Sequence, residues 1–170
     1  MKTRVHSRSY LVNIMKMSLL LSLVVFLAVS RNAYAAGAPA KPSKSAAEKR
    51  TEANVYFKMG EKLQETGDYK GASKKYEKAV KVDSKYAEAW SNLGYTYRKQ
   101  GYFKKAVKAY KKAIKLAPDL AEAHEYLGEA YAEQGKFDLA EKELEILREL
   151  GSEEAEELEA FIAKMKAKQS

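Results

Sequence analysis

Residues 53–154 repeat one chemical pattern three times, at a fixed interval of 34 residues. Small residues, large aromatic residues and glycines return at matching positions in every unit. Self-similarity at this period is typical of stacked helical units rather than of a single globular core. Arrays of this kind bind partners along a surface and rarely carry catalytic chemistry. The aligned positions include Ala53, Ala87 and Ala121; Leu63, Tyr97 and Tyr131; Gly67, Gly101 and Gly135; and Ala72, Ala106 and Ala140.

Each unit divides into two amphipathic helices joined by a short turn. In the second unit, apolar residues recur at steps of three and four over residues 89–97, which predicts one buried helical stripe. Gly101 interrupts this stripe, and a second stripe follows over residues 103–114. Pro118 ends the second stripe because proline cannot continue a helix. The pattern therefore predicts a pair of packed helices in every unit.

Eight positions of the second unit carry a resemblance to a known family. They are Trp90, Leu93, Gly94, Tyr97, Ala106, Tyr110, Ala113 and Pro118. With these residues the unit resembles a tetratricopeptide repeat in which every signature position is filled. The first unit departs from the family pattern at Ser84, where proline is usual, and the third has His124 in place of an aromatic residue.

The resemblance implies an all-α fold, a right-handed superhelical α-solenoid of three helix-turn-helix repeats. The repeats span residues 53–86, 87–120 and 121–154, within a tetratricopeptide domain of residues 51–170. We expect a capping helix over residues 153–167, because the end of such an array lacks a neighbour. Its narrow apolar stripe consists of Leu158, Phe161, Ile162 and Met165.

The first 35 residues have the features of a secretory signal peptide. They carry five basic residues and no acidic one, and an apolar run covers residues 17–30. Ala33-Tyr34-Ala35 is the small-x-small pattern that precedes a cleavage site, so we expect cleavage before Ala36. The apolar run is shorter than the roughly 20 residues of a membrane-spanning helix. An uncleaved signal anchor is the alternative.

Translation starts at Met1 or at Met15, since Met15-Lys16-Met17 also makes a well-formed signal-peptide start. Residues 36–50 are small and polar and contain two prolines, which predicts a flexible linker. We therefore expect an exported, periplasmic protein. The alternative is a domain held outside the cytoplasm by an anchor in the inner membrane.

Catalytic chemistry has little support in the sequence. The chain has no cysteine, which excludes disulfides, thiol catalysis and thiolate metal sites. Its two histidines are His6, in the leader, and His124, at a packing position. We find no phosphate-binding glycine loop, no metal-spaced ligand cluster and no nucleophile beside a base. We expect no enzymatic activity, no cofactor and no metal.

By the family resemblance, the first helix of each repeat lines a concave groove that holds a peptide or a partner helix. The family's clamp of lysines, arginine and asparagines for an acidic C-terminus is absent: only Asn92 resembles it, and Glu122 replaces an expected lysine. The groove is predicted to be acidic, with Phe57, Tyr95 and Tyr126 as flat anchors, which favours a basic or mixed-charge peptide. Alternatively, the glutamates only solvate helix faces. The predicted groove residues are Asn54, Phe57, Glu61, Glu65, Glu88, Ser91, Asn92, Tyr95, Arg98, Glu122, Glu125, Glu129 and Glu133.

The second helices carry the opposite charge. Lysines at residues 70–81 and 104–115 predict a basic outer face, residues 86–118 have a net charge of +7, and residues 119–170 have −9. A solvated surface, contact with anionic phospholipid headgroups and head-to-tail self-association all remain open. Nucleic acid is an unlikely partner, because the net charge of +8 falls to +3 without the first 35 residues.

We therefore expect a non-catalytic interaction scaffold or adaptor of the bacterial cell envelope, which docks a peptide or partner protein in its groove. The alternative is a membrane-anchored structural component of an envelope assembly. Such a component would self-associate through its basic middle and its acidic C-terminal end.

Overall fold

The computed structural model describes residues 44–169, which form seven α-helices and no strand. The all-α repeat fold that the sequence predicts is confirmed. The predicted signal peptide and residues 36–43 of the predicted linker lie outside the described residues. The helices are α1 (Ala46–Glu65), α2 (Tyr69–Val82), α3 (Ala87–Lys99), α4 (Phe103–Leu116), α5 (Ala121–Ala132), α6 (Phe137–Glu149) and α7 (Glu154–Gln169).

The helices pack in pairs, α1 with α2, α3 with α4 and α5 with α6, and each pair packs on the next. A glycine makes the turn inside each pair. Gly101 has a φ of 78°, a left-handed conformation that residues with a Cβ rarely adopt. The next amide, of Tyr102, donates a hydrogen bond of 2.9 Å to the carbonyl of Tyr97 and ends α3. Gly67 and Gly135 make the equivalent turns.

A second glycine in each of the first two pairs allows a tyrosine ring to pack directly on the helix backbone. A Cβ on Gly94 would lie 2.6 Å from the ring of Tyr110, so no larger residue fits there without displacement. Gly60 and Tyr76 make the same contact in the first pair. In the third pair, however, Gly128 faces Leu158 of α7. Helix α7 therefore completes the packing of the third repeat.

The core consists of two apolar clusters. One joins α1, α2 and α3, and the other runs from α4 to α7. Tyr97 packs against both clusters, so the packing continues along the stack. Tyr76, Tyr110, Leu147 and Leu158 are fully buried within them.

The first helices lie on the inner side of the stack. Helix α5 contacts both α3 and α7 directly, although α3 and α5 belong to successive repeats. Successive first helices are thus close together, while α2, α4 and α6 lie farther out. This arrangement makes α3, α5 and α7 neighbours on the concave face.

The structure corrects the predicted linker of residues 36–50, because α1 already begins at Ala46. Ser45 and Glu48 form a reciprocal capping box: the Glu48 amide donates to the Ser45 hydroxyl at 3.2 Å, and the Ser45 amide donates to the Glu48 carboxylate at 2.8 Å. These bonds satisfy free amides at the helix start. The Arg50 side chain of α1 forms an ion pair with Asp83, between α2 and α3, with 2.5 Å between Nε and Oδ2. Its guanidinium lies over the ring of Tyr86.

The C-terminal helix covers residues 154–169, close to the predicted 153–167. Leu158 and Ile162 are buried against α5 and α6, while Phe161 and Met165 are partly buried. None of the helices in residues 44–169 combines the length and the apolar character that crossing a lipid bilayer requires.

Candidate functional site

The predicted groove residues lie on the first helices but differ in how far solvent reaches them. Asn54, Glu65 and Glu88 are exposed. Glu61, Tyr95, Glu122, Glu129 and Glu133 are partly exposed. Phe57, Ser91, Asn92, Arg98 and Glu125 are buried. A partner can therefore reach only some of the predicted positions in the free protein.

Phe57 is a core residue, which corrects its prediction as a flat anchor in the groove. Its side chain is 7% exposed. The ring packs against Tyr76 of α2 and against Tyr86, which directly precedes α3, with centroid distances of 5.6 and 5.0 Å. Phe57 therefore stabilises the junction between repeats.

Arg98 is buried at the centre of the concave face and already has its partners. It forms ion pairs with Glu129 and Glu133 of α5, the second at 2.9 Å. Its guanidinium also lies over the rings of Tyr95 and Tyr126, at 5.5 and 6.0 Å from their centroids. The single charge of Arg98 offsets one of the two negative charges of Glu129 and Glu133. Arg98 is 5% exposed, so a partner cannot reach it in the free protein, contrary to the prediction for this residue.

A row of tyrosines forms the wall of the groove from α2 to α5. The centroids of Tyr69 and Tyr95 are 6.1 Å apart, and those of Tyr95 and Tyr126 are 5.1 Å apart. Tyr126 also contacts Tyr110. Tyr95 and Tyr126 keep part of their surface exposed, so they can still contact a bound segment.

Two predicted residues in the first-repeat part of the groove already have partners. Glu61 pairs with Lys58 at 2.7 Å. The carboxamide oxygen of Asn54 accepts a hydrogen bond of 3.1 Å from the Tyr86 hydroxyl. Glu65, in the same part, is exposed.

The third-repeat part of the groove contains a buried carboxyl group with no partner among the described residues. Glu125 is 8% exposed, and it has neither a hydrogen bond nor an ion pair there. Burial raises its pKa, and the charges of Glu129, Glu157, Glu154 and Glu122 raise it further, to about 8. Glu125 is therefore mostly protonated at neutral pH, unlike an ordinary glutamate.

Two neighbouring carboxyl groups on α5, those of Glu122 and Glu129, also have raised pKa values. Burial raises the pKa of Glu122, although the adjacent Tyr126 hydroxyl lowers it. Burial also raises the pKa of Glu129 despite the opposing charge of Arg98. Carboxyl groups are thus concentrated where their ionised form is hardest to solvate.

Two residues of this acidic region, Glu154 and Glu157, are missing from the sequence prediction because α7 was assigned only a capping role. The repeat register could have indicated them. Ala155 lies 34 residues after Ala121, so α7 continues the pattern as the first helix of a further unit. First helices line the groove, and α7 therefore adds acidic side chains to it.

His124 packs on the opposite side of α5. It is 3% exposed, with Nδ1 2.8 Å from a Glu143 carboxylate oxygen and Nε2 3.0 Å from the Pro118 carbonyl oxygen. Since both partners are acceptors, the doubly protonated imidazolium satisfies both contacts. The bond to Glu143 raises the pKa of His124. Within residues 44–169 no group of three potential ligands has the geometry of a metal site.

Comparison with known proteins agrees with this architecture. A family model described as TPR repeat matches residues 53–101 and 94–135. The chain contains tetratricopeptide repeats. No curated protein sequence matches it.

Solved TPR domains have the same fold. The first TPR of Spaghetti (RPAP3), bound to the HSP90 peptide SRMEEVD, is 24% identical with a TM-score of 0.63, and the match covers 69% of this chain and 95% of that one. The TPR2B domain of yeast Sti1, in a complex with pHsp70, is 22% identical with a TM-score of 0.63, over 71% and 98% of the two chains.

A bacterial structure shows the same likeness. The type III secretion chaperone SycD of Yersinia enterocolitica, in complex with a peptide of the translocator YopD, is 14% identical with a TM-score of 0.63. The match covers 77% of this chain and 100% of that chain. At these identities the likeness establishes the fold of the TPR repeats.

Proposed function

We propose that this protein is a non-catalytic scaffold that docks a basic or mixed-charge peptide segment of a partner protein on the concave face of its TPR repeats. The carrying observation is Glu125, a buried carboxyl group without a counter-charge, in a groove lined by acidic residues and tyrosines. A cationic segment favours ionisation of this carboxyl group and pairs with it, and the partly exposed rings supply contact area.

Peptide complexes of proteins with this fold support docking of a peptide, while the charge preference that we propose rests on the residues of the present groove. The TPR of Spaghetti (RPAP3) is bound to SRMEEVD, a peptide with three acidic residues and one arginine. In the present groove Glu122 and Glu125 already have raised pKa values because of burial, and neighbouring carboxylates raise them further. An acidic peptide would add like charge there, so we expect this protein to discriminate against it.

Fluorescence anisotropy with three short labelled peptides tests the proposal. The peptides share one length and one glycine-serine frame and carry lysine, glutamate or glutamine at the same positions. We expect saturable binding of the lysine peptide that weakens with salt, and no binding of the glutamate peptide. Equal affinity for all three, or a preference for the glutamate peptide, would refute the charge preference.

We further propose that the protein acts in the cell envelope, as the signal features of residues 1–35 suggest. N-terminal sequencing of the protein from bacterial cells tests this proposal. A chain that begins at Ala36 is expected, and an intact leader in a cytosolic fraction would contradict it. Light scattering of the same sample would reveal self-association, which is the alternative role.

A further inference from the structure

We propose that the meeting point of α5 and α7 is a pocket for one cationic side chain, a lysine or arginine of the docked segment. This inference rests on the proposed function and assigns its specificity to one place. We name this place the α5–α7 pocket and define it by Glu122, Glu125, Glu154 and Glu157.

The pocket contains a carboxyl group, that of Glu125, which has no partner in residues 44–169. Burying a carboxyl group without a partner costs free energy, and evolution rarely retains such a group without a use. Glu125 is 8% exposed and has no hydrogen bond or ion pair with the described residues. Four further carboxyl groups, those of Glu122, Glu129, Glu154 and Glu157, interact with it electrostatically.

Two basic side chains of α3 already contact other residues. From α3, Arg98 is held by Glu129 and Glu133, and Lys99 lies over the ring of Tyr95, at 5.1 Å from its centroid.

On α6, which also packs against α5, Glu143 pairs with His124. From α7, the groups that interact with Glu125 are the acidic Glu154 and Glu157. The groups that act most strongly on Glu125 are therefore all acidic, and a partner can supply the cation.

The graded exposure of the pocket residues suits a long side chain with a charge at its end. Glu157 is exposed, Glu154 is partly exposed and Glu125 is buried. The partly exposed ring of Tyr126 stands beside Glu122 and offers an apolar surface for an aliphatic stem. Lysine and arginine bury their stems along such surfaces and carry the charge at the tip.

Entry of the cation displaces a proton from Glu125. In the free protein this carboxyl group is mostly protonated at neutral pH, since its pKa is raised to about 8 by burial and by the adjacent carboxylates. An ammonium or guanidinium group favours the ionised carboxylate, so the carboxyl proton leaves to solvent as the ion pair forms. The lysine ammonium keeps its own proton, because its ordinary pKa is about 10.4.

Isothermal titration calorimetry of the full chain with the lysine peptide tests this assignment. Titration at neutral pH in two buffers of different ionisation enthalpy counts the protons released. We expect the wild type to release close to one proton and Glu125→Gln to release almost none. A glutamine keeps the side-chain volume, so the comparison changes charge and leaves the packing.

Affinity provides the second readout. We expect Glu125→Gln and Glu157→Gln each to weaken the lysine peptide, the former by about tenfold or more, as for loss of a desolvated charge pair. The matched control is Glu145→Gln, on an exposed position of α6 away from the groove. It should bind like the wild type. Circular dichroism shows that each variant is folded.

The outcomes separate the pocket from the proposed function. If wild type and Glu125→Gln bind the lysine peptide equally and release the same number of protons, the α5–α7 pocket is refuted while groove docking stands. If the wild type does not bind the peptide, the proposed function fails. If calcium or spermidine alone releases the proton and binds at least as tightly as the peptide, the assignment to a peptide side chain is overturned.

Discussion

Replacing Glu125 by glutamine is expected to make the domain more stable, although it removes a group that we assign to binding. The wild-type carboxyl group has an ordinary pKa of 4.5 and a pKa of about 8 in the folded protein, because of burial and its acidic neighbours. At neutral pH it must therefore take up a proton to fold. Protonation of a group whose pKa is raised in the folded state stabilises the protein. This stabilisation is complete below the ordinary pKa and is lost as pH rises through about 8.

The magnitude follows from the difference in proton binding. Relative to a group that does not titrate, Glu125 costs roughly 3 kcal/mol of unfolding free energy at about pH 7 and less than about 1 kcal/mol at about pH 5. Glutamine removes this cost but buries an amide without partners, which costs about 1–2 kcal/mol at either pH. The expected net gain is roughly 2 kcal/mol at neutral pH, and it disappears in mild acid.

Urea unfolding followed by circular dichroism measures this effect for the wild type, Glu125→Gln and the exposed control Glu145→Gln. The decisive quantity is the change with pH of the difference between wild type and variant, because the amide cost cancels from it. A difference that is the same at both pH values would refute the reasoning, even if the variant were more stable. The control should stay within about 0.5 kcal/mol of the wild type.

Three further predictions concern packing and charge elsewhere in the repeats. His124→Phe should make the melting temperature fall less steeply as pH rises above neutral. The bond to Glu143 raises the folded pKa of His124, so the wild type loses this stabilisation as pH rises through that value. Gly94→Ala should lower the urea midpoint, at a cost of about 1–3 kcal/mol, because its Cβ would lie 2.6 Å from the Tyr110 ring. Arg98→Met should cost about 3–5 kcal/mol in the same assay, since its two carboxylate partners are left without a counter-charge.

Contrary results are defined for the His124 and Arg98 variants, and a control for the Gly94 variant. A pH profile of His124→Phe parallel to that of the wild type would show that the imidazole does not carry the linkage. The control for Gly94→Ala is Ala160→Gly, at an exposed position of α7, because this substitution changes helix propensity alone. Gly71→Ala is unsuitable as a control, because the Gly71 amide donates a hydrogen bond to Asp68, the N-cap residue of its helix. An Arg98→Met variant as stable as the wild type would mean that solvent reaches the two carboxylates.

The repeat period predicted the fold because the same packing contact recurs in each unit. Gly60, Gly94 and Gly128 are small since each lies under a large side chain, and that requirement is visible in one sequence. The turn glycines are recognisable for a similar reason, because each must adopt a positive φ. Local geometry of this kind repeats with the chain, so periodicity reveals it.

The site was harder to predict because burial there depends on contacts between repeats. The helical phase of Phe57 places it beside the buried stripe, yet the ring of Tyr86, at the boundary with the second unit, packs against it. Glu125 occupies the equivalent position in the third unit, and the acidic side chains near it include two from α7. Neither effect leaves a signal within one helix. The start of α1 could have been found, since Ser45 and Glu48 are a capping-box pair.

Adjacent residues of α5 link the stability of the domain to occupancy of the groove. His124 faces Glu143 on α6, while Glu125 interacts with the acidic residues of α5 and α7. Protonation of each residue stabilises the folded domain, and this stabilisation is lost as pH rises through the raised pKa of that residue. A cation in the α5–α7 pocket would remove the cost of ionising Glu125 but would leave that of His124 unchanged. Ligand stabilisation grows with the ratio of ligand concentration to Kd. The bound peptide should therefore raise the melting temperature more at mildly alkaline pH than at mildly acidic pH, where the carboxyl proton opposes it.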